Sequence, residues 1–286
     1  MIKFIADISA DIPKEIANQK GLAIMPFCIT ADDDETFVAG IDYTPQMFYD
    51  KLKTMKGVPK TGQTPLDCIE ETYRKVGADG AQIIHVSIPE EGSGTINSCR
   101  MIAKRLNEEE GFDITIVDSR TYSFANGFHV LAAMDMAEQG KTRDEIVEYL
   151  EKSYSRDRAY FSVDDLTFLK KGGRIKATTA TFAKALDIKP ILRTNEGLVE
   201  VIDKVRGTKK SISRMVDYAV EKMDDPTNNE VVILESECPE KVEFMKKQLE
   251  EKLHPAKITA VDIGPIITCH AGTNVIGIFF KHKEEA

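Results

Sequence analysis

The side chains of this 286-residue chain that could do chemistry are hydroxyls, one late imidazole and carboxylates in short polar stretches. The stretches are Asp7-Ile-Ser9-Ala-Asp11, Lys60-Thr61-Gly-Gln63-Thr64, Ser87 to Thr95, Asp118-Ser119 and Thr268-Cys-His270-Ala-Gly272. Three kinds of chemistry are open to them. Asp7, Asp11 and Asp118 could gather Mg²⁺, which prefers carboxylate and water oxygens, and so serve a Mg-dependent phosphotransferase or phosphatase. Acids at strand ends also cap turns. Ser93 with His270 could suggest a hydrolase, but Ser93 lies in Gly-Ser-Gly-Thr without the flanks of a G-x-S-x-G elbow. Thr61 and Gly92-Ser93-Gly94-Thr95 precede helical stretches, where free N–H groups favour an anion. Glycines there let a backbone approach a ligand closely. The loop is neither a P-loop nor a G-x-G-x-x-G fingerprint. Thr61, Ser93 and Thr95 could equally be ordinary helix caps.

The elements that must position these residues follow from hydrophobic periodicity. Short apolar runs at 2–6, 23–29, 83–86 and 114–117 suit buried strands of a largely parallel sheet. Helical spacing fills 65–76, 94–109, 124–138 and 143–154, and Thr44-Pro45 caps and opens another helix to about Met55. From Arg158 the pattern changes. Strands are expected at 160–163, 190–193, 198–205, 231–234, 258–263 and 275–280, with helices at 164–169, 208–223 and 240–253 and a hairpin turn at 194–197. The expected fold class is therefore α/β with two domains. Residues 1–155 form a mainly parallel sheet with helices on both faces, and residues 156–286 form an α+β sheet domain. In open α/β sheets, ligands bind beyond the carboxyl ends of the strands, where Asp7, Ser93 and Asp118 fall.

Charge narrows the function further. The formal net charge is −9, from 38 Lys and Arg against 47 Asp and Glu. Such a balance excludes general nucleic-acid binding, which rests on neutralising phosphates. The charge is uneven: residues 1–155 sum to −10 and residues 156–286 to +1, and 170–214 holds 12 basic against 4 acidic residues. That stretch is the one candidate surface for an acidic or anionic partner. No apolar run approaches the roughly 18–20 residues of a membrane span, and the opening Met1-Ile-Lys-Phe-Ile-Ala-Asp reads as a first strand, not a secretory signal. Cys28, Cys68, Cys99, Cys238 and Cys269 are scattered and odd in number, which fits reduced thiols in a cytoplasmic protein.

Several motifs, taken in chain order, carry a resemblance. They are Asp7-Ile-Ser-Ala-Asp-Ile-Pro13, Thr61-Gly-Gln63-Thr-Pro65, Ser93-Gly-Thr95, Val117-Asp-Ser119, Leu166-Thr-Phe-Leu-Lys-Lys-Gly-Gly-Arg174-Ile, Ile188-Lys-Pro-Ile191, Lys204-Val-Arg206 and His270-Ala-Gly272. Together they resemble the DegV family across nearly the whole chain, and are similar to the fatty-acid-binding subunits of bacterial fatty acid kinase. The glycine-glycine-arginine segment is the specific one. The resemblance implies a two-domain protein that holds one long-chain fatty acid between its domains and needs no cofactor. Thr61, Ser93 and His270 would bind the carboxylate. A separate ATP-dependent acyl kinase would phosphorylate it, with Arg174 and Arg206 docking that kinase and a transient membrane contact at exchange. The chain departs from the family pattern at Gly62, where a Ser is usual, at Ile88-Pro-Glu90-Glu91, which is usually richer in Ser and Leu, and at Gly272-Thr-Asn, where G-P-G is usual.

Overall fold

A computed structural model describes residues 1–31, 35–39, 42–164, 166–175 and 187–284. The first half alternates strands and helices: β1 (Ile2–Asp7), α1 (Lys14–Lys20), β2 (Ala23–Met25), β3 (Cys28–Thr30), β4 (Thr36–Val38), α2 (Pro45–Thr54), β5 (Lys60–Gly62), α3 (Leu66–Val76), β6 (Gln82–Ser87), α4 (Thr95–Glu110), β7 (Asp113–Asp118), α5 (Phe124–Glu138) and α6 (Arg143–Arg156). The second half holds β8 (Ala159–Ser162), α7 (Thr167–Gly172), β9 (Ile188–Asn195), β10 (Leu198–Arg206), α8 (Thr208–Lys222), β11 (Glu230–Glu235), α9 (Pro239–Lys252), β12 (Lys257–Asp262), α10 (Pro265–Ala271) and β13 (Ile276–Phe279).

These strands make three sheets. A four-stranded parallel sheet has the order β2-β1-β6-β7, a mixed six-stranded sheet runs β10-β9-β8-β13-β11-β12, and β4-β3-β5 is a small antiparallel one. The strands of the parallel sheet all lie before Arg156 and those of the six-stranded sheet all after it. Side-chain alternation explains the layering, since neighbours along a strand face opposite sides. Ile5 and Ile83 pack with Ile69, Tyr73 and Leu106 of α3 and α4, whereas Phe4, Ala6 and Ile84 face Val130, Ile146 and Leu150 of α5 and α6. Those two helices share that cluster with Val232 and Leu234 of β11, while Val231 and Ile233 turn to α8 and α9. The result is five layers, α/β/α/β/α, with α5 and α6 as the common filling between the sheets.

Four local features differ from the sequence reading. The single strand expected at 23–29 is two strands in two sheets, β2 beside β1 and β3 beside β4 and β5. Pro26 divides them, because it has no N–H to give a ladder and its fixed φ turns the chain. Thr61, expected in a loop, sits in β5 opposite Ile29. The helices α1 and α10 were not expected at all. Residues 265–271 are apolar at almost every position and so show no helical period, although Gly264-Pro265 is a helix-start signal. Part of the basic stretch, 176–186, lies outside the described residues.

Candidate functional site

In the parallel sheet the chain leaves β1 to one side for β2 and returns on the other as β6, so the strand order reverses between β1 and β6. Ligands of open α/β folds bind at that reversal. A cavity opens there, between the loops at the strand ends and the inner face of the six-stranded sheet. Its walls are mostly apolar, with Phe27, Ile88, Phe161, Leu234 and Ile266 among them, and the space free of protein atoms is about 810 Å³ including its open mouth. The polar groups of the lining are few: Thr61, Ser93, Tyr122, Ser123, Arg174, Thr194 and His270. No carboxylate belongs to the described lining. An apolar pocket with a few convergent polar groups is the usual form of a small-molecule site.

Thr61 and His270 meet although 209 positions separate them: Thr61 Oγ1 lies 2.9 Å from His270 Nε2. β5 presents Thr61 and α10 presents His270. Burial, and to a lesser degree the positive charge of Arg174, pulls the His270 pKa down from 6.5 to about 4, so the ring is neutral at pH 7. Its Nδ1 is buried without a hydrogen-bond partner among the described residues. A buried unpaired ring nitrogen is costly, and an acceptor or donor on a guest would relieve it. Ser93 also lines the cavity, just ahead of α4, with its Oγ 3.2 Å from Thr95 Oγ1 and accepting from the Thr95 N–H at 3.3 Å. Ser93 therefore takes the first N–H of α4, whose N-cap is Gly94, and lines the cavity at once. Tyr122 closes the rim by donating to the carbonyl of Gly197, and it is why residue 92 is glycine, since a Cβ there would sit 1.9 Å from the phenol oxygen.

The glycine-glycine-arginine segment has a separate physical reason at each position. Gly172 clears His270, because a Cβ at 172 would lie 2.5 Å from Nδ1. Gly173 caps α7 in the left-handed region at φ 70°, which costs a side-chain-bearing residue most. Arg174 then folds back: its Nε donates to the Gly92 carbonyl at 3.0 Å and its Nη1 to the Gly172 carbonyl. Arg174 thus ties the Ser93 loop to the α7 end and lines the cavity.

The two arginines grouped by sequence are not neighbours. Arg174 faces residue 199 near the start of β10, with the Val199 N–H donating to its carbonyl. Arg206 is exposed at the other end of that strand. Seven residues of strand separate the two levels by roughly 23 Å.

The magnesium reading of Asp7, Asp11 and Asp118 is corrected by their partners. Asp7 is buried and takes bonds from Ser87 Oγ at 2.8 Å and the Ile88 N–H at 2.7 Å, with His85 Nε2 at 2.9 Å. It thereby fixes the start of the loop that carries Ser93. Asp11 accepts from Ser123 Oγ at 2.5 Å and packs against Gly264. Asp118 accepts from the Arg120 N–H at 2.9 Å. Each carboxylate holds a different loop, and among the described residues no three His, Cys, Asp or Glu side chains converge on a metal position. The sequence reading had not seen Gly172, Tyr122 or the inward turn of Arg174 as parts of the site. The paired glycines of 92–94 and 172–173 were the available signal.

Comparison with known proteins settles the kinship. A family model described as an uncharacterised protein family, DegV, matches residues 1–283. The chain belongs to the DegV family. The DegV domain-containing protein CPE0026 of Clostridium perfringens is 32% identical over 288 residues, covering 98% of each chain. Among solved DegV structures, the fatty acid binding protein DegV from Bacillus subtilis superposes with a TM-score of 0.86 at 26% identity over 99% of both chains. The fatty acid binding DegV family protein SAG1342 from Streptococcus agalactiae gives 0.87 at 26% identity, covering 98% of this chain and 99% of that one. No described helix of this DegV protein is long and apolar enough to cross a membrane.

Proposed function

We propose that this DegV protein binds one long-chain fatty acid, with the acyl chain in the apolar cavity and the carboxylate held by Thr61, Ser93 and His270. The observation that carries the reading is the Thr61–His270 pair, with its unpartnered Nδ1, in the lining of a mostly apolar cavity. Two relatives of the same fold are themselves fatty-acid-binding proteins. The energetics suit a carrier. A 16-carbon tail at ~0.8 kcal/mol per CH₂ gives a gross gain near ~12 kcal/mol, from which ordering costs are subtracted. Hydrogen bonds to the charged head add about 1.5–3 kcal/mol each and fix its orientation.

In the fuller form of the proposal the protein is not itself an enzyme. It presents the head group to a separate ATP-dependent acyl kinase in the cytoplasm and carries the acyl phosphate away. The exposed Arg206 belongs to the surface that would meet such a partner, and the five cysteines are unpaired, as a reducing compartment keeps them. Native mass spectrometry of protein purified from a bacterial host should show one co-purified long-chain acid. A protein that is ligand-free and also fails to bind long-chain acids in titration refutes the reading. Kinase-independent carriage is distinguished by Arg206→Ala, which leaves acid binding intact in either case but lowers acyl-phosphate formation only if a kinase docks there.

A further inference from the structure

The cavity has one wall that is a short suspended helix. α10 hangs between β12 and β13 and supplies Ile266, Ile267, His270 and Ala271 to the lining. Moving it would open the apolar chamber and take His270 away from Thr61 together. Two contacts from the first half of the chain hold its entrance. Tyr49 of α2 donates to the Ile263 carbonyl at 2.6 Å. Asp11, in the turn after β1, packs its carboxylate against Gly264, the residue that begins α10. The fit there is close, since a Cβ at 264 would come within 2.3 Å of Asp11 Oδ1. The other oxygen of the same carboxylate accepts from Ser123 at the start of α5. Asp11 and Ser123 both hold positive φ, at 50° and 56°, and Ser123 with ψ −154° occupies a region that is almost only glycine's. One carboxylate therefore joins three segments that are remote in sequence, and two of them adopt uncommon backbone to reach it.

We propose that Asp11 is a positioning residue of the ligand site: it is the latch that keeps the α10 wall, and His270 with it, closed over the cavity. The proposal rests on the fatty-acid reading for the identity of the guest. Asp11 is also titratable. The groups that face it are the Ser123 hydroxyl, the Tyr49 phenol from α2 and the Asp262 carboxylate from β12, which lies beside Glu235 of β11. Burial first, and Asp262 to a smaller extent, raise the Asp11 pKa from 3.8 to about 7 against the opposing influence of Ser123 and the Gly264 backbone. The closed wall therefore prefers the protonated acid, and an opened wall, which hydrates Asp11, prefers the ionised one. The contribution of Asp11 to closure is complete below its ordinary pKa and is lost progressively as pH rises to about 7, beyond which it is constant.

The test is the release rate of a bound fluorescent long-chain fatty acid into excess albumin, measured by stopped flow from pH 5.5 to 8.5 for the wild type and Asp11→Asn. Asn tolerates the left-handed backbone and mimics the protonated acid. The ratio of wild-type to variant rate removes the titration of the probe, of His270 and of every other shared group. It should climb with pH, by at most tenfold per unit, and flatten near pH 7. Should Asp11→Asn fail to fold, Ser123→Gly keeps the latch testable. Glycine suits that backbone, and loss of the Ser123 bond should move the plateau of the release profile above pH 7. A ratio that is constant with pH, or a Ser123→Gly profile identical to wild type, overturns the latch and leaves fatty-acid binding standing. A wild type that takes up none of the probe overturns the fatty-acid reading, and the latch falls with it.

Discussion

Gly172→Ala tests the head-group geometry without removing a single functional atom. The added Cβ would lie 2.5 Å from His270 Nδ1, whereas ordinary contact begins near 3.4 Å, so the ring must retreat by almost 1 Å. Retreat along the ring axis drives Nε2 into Thr61, and retreat sideways opens a 2.9 Å contact beyond hydrogen-bond range. On the proposed reading, either movement would remove one directed bond to the carboxylate. At about 1.5–3 kcal/mol for a bond to a charged group, the expected loss in affinity is roughly 10- to 150-fold. Stability supplies a control on the sign. With open space at a helical site, Gly→Ala would stabilise by about 1 kcal/mol, but against His270 it should lower Tm instead. The assay is a calorimetric titration with a long-chain acid, in a cycle with His270→Ala. In the His270→Ala background the space is free, and Gly172→Ala should leave affinity unchanged. Wild-type affinity in the single variant, or a loss that simply adds to that of His270→Ala, refutes the reasoning.

Two further outcomes follow from buried charge. The His270 and His282 pKa values are each lowered from 6.5 to about 4, chiefly by burial, so the unfolded chain binds protons between those values and the folded one does not. Stability should therefore fall as pH drops from about 6.5 to about 4. Asp11, with its pKa raised to about 7, acts in the opposite sense over that range. Asp11→Asn should make the fall in Tm steeper, and an unchanged slope in a thermal-melt series would contradict these assignments. Asp157, buried between the two halves, pairs with Arg156 at 2.9 Å and His129 at 3.2 Å and accepts from the His282 N–H at 2.8 Å. Asp157→Ala strands the His282 N–H and removes the neighbour of a neutral His129 and a partly exposed Arg156, at a cost of roughly 1–3 kcal/mol and a Tm loss on the order of 5 °C. A loss within experimental error would show that these contacts contribute little.

The alternation of elements was legible because it rests on local pattern. Thr44 before Pro45 announces α2, and its hydroxyl does accept from the Met47 N–H at 3.3 Å. The apolar runs of β1, β6 and β7 are buried on both faces, as parallel strands require. What stayed hidden depends on contacts between distant residues. Nothing in the runs 60–62 or 265–271 shows that they face each other, and the pairing of Thr61 with His270 was reachable only through motif resemblance. The acids at positions 7 and 11 read as a metal motif because they share a loop. The fold turns one toward β6 and the other toward α10, a divergence imposed by the left-handed conformation of Asp11. Arg174 read as a surface charge, and the fold turns it inward to the carbonyls of Gly92 and Gly172, contacts that no local pattern announces.

The distribution of charge around the cavity bears on how it would hold a charged head group. His270 is neutral at pH 7, Thr61 and Ser93 are neutral, and the guanidinium of Arg174 already serves two backbone carbonyls. A carboxylate held there would rest on hydrogen bonds and not on a dedicated ion pair. The described lining has no carboxylate, and its one lysine-or-arginine side chain is committed to carbonyls. Affinity then resides in the tail, which chemistry at the head does not alter. Adding a second negative charge to the head would disturb a few hydrogen bonds and leave most of the binding energy in place. On the proposed reading, a weakly gripped head on a strongly gripped tail would let one protein hold both the acid and its phosphorylated product.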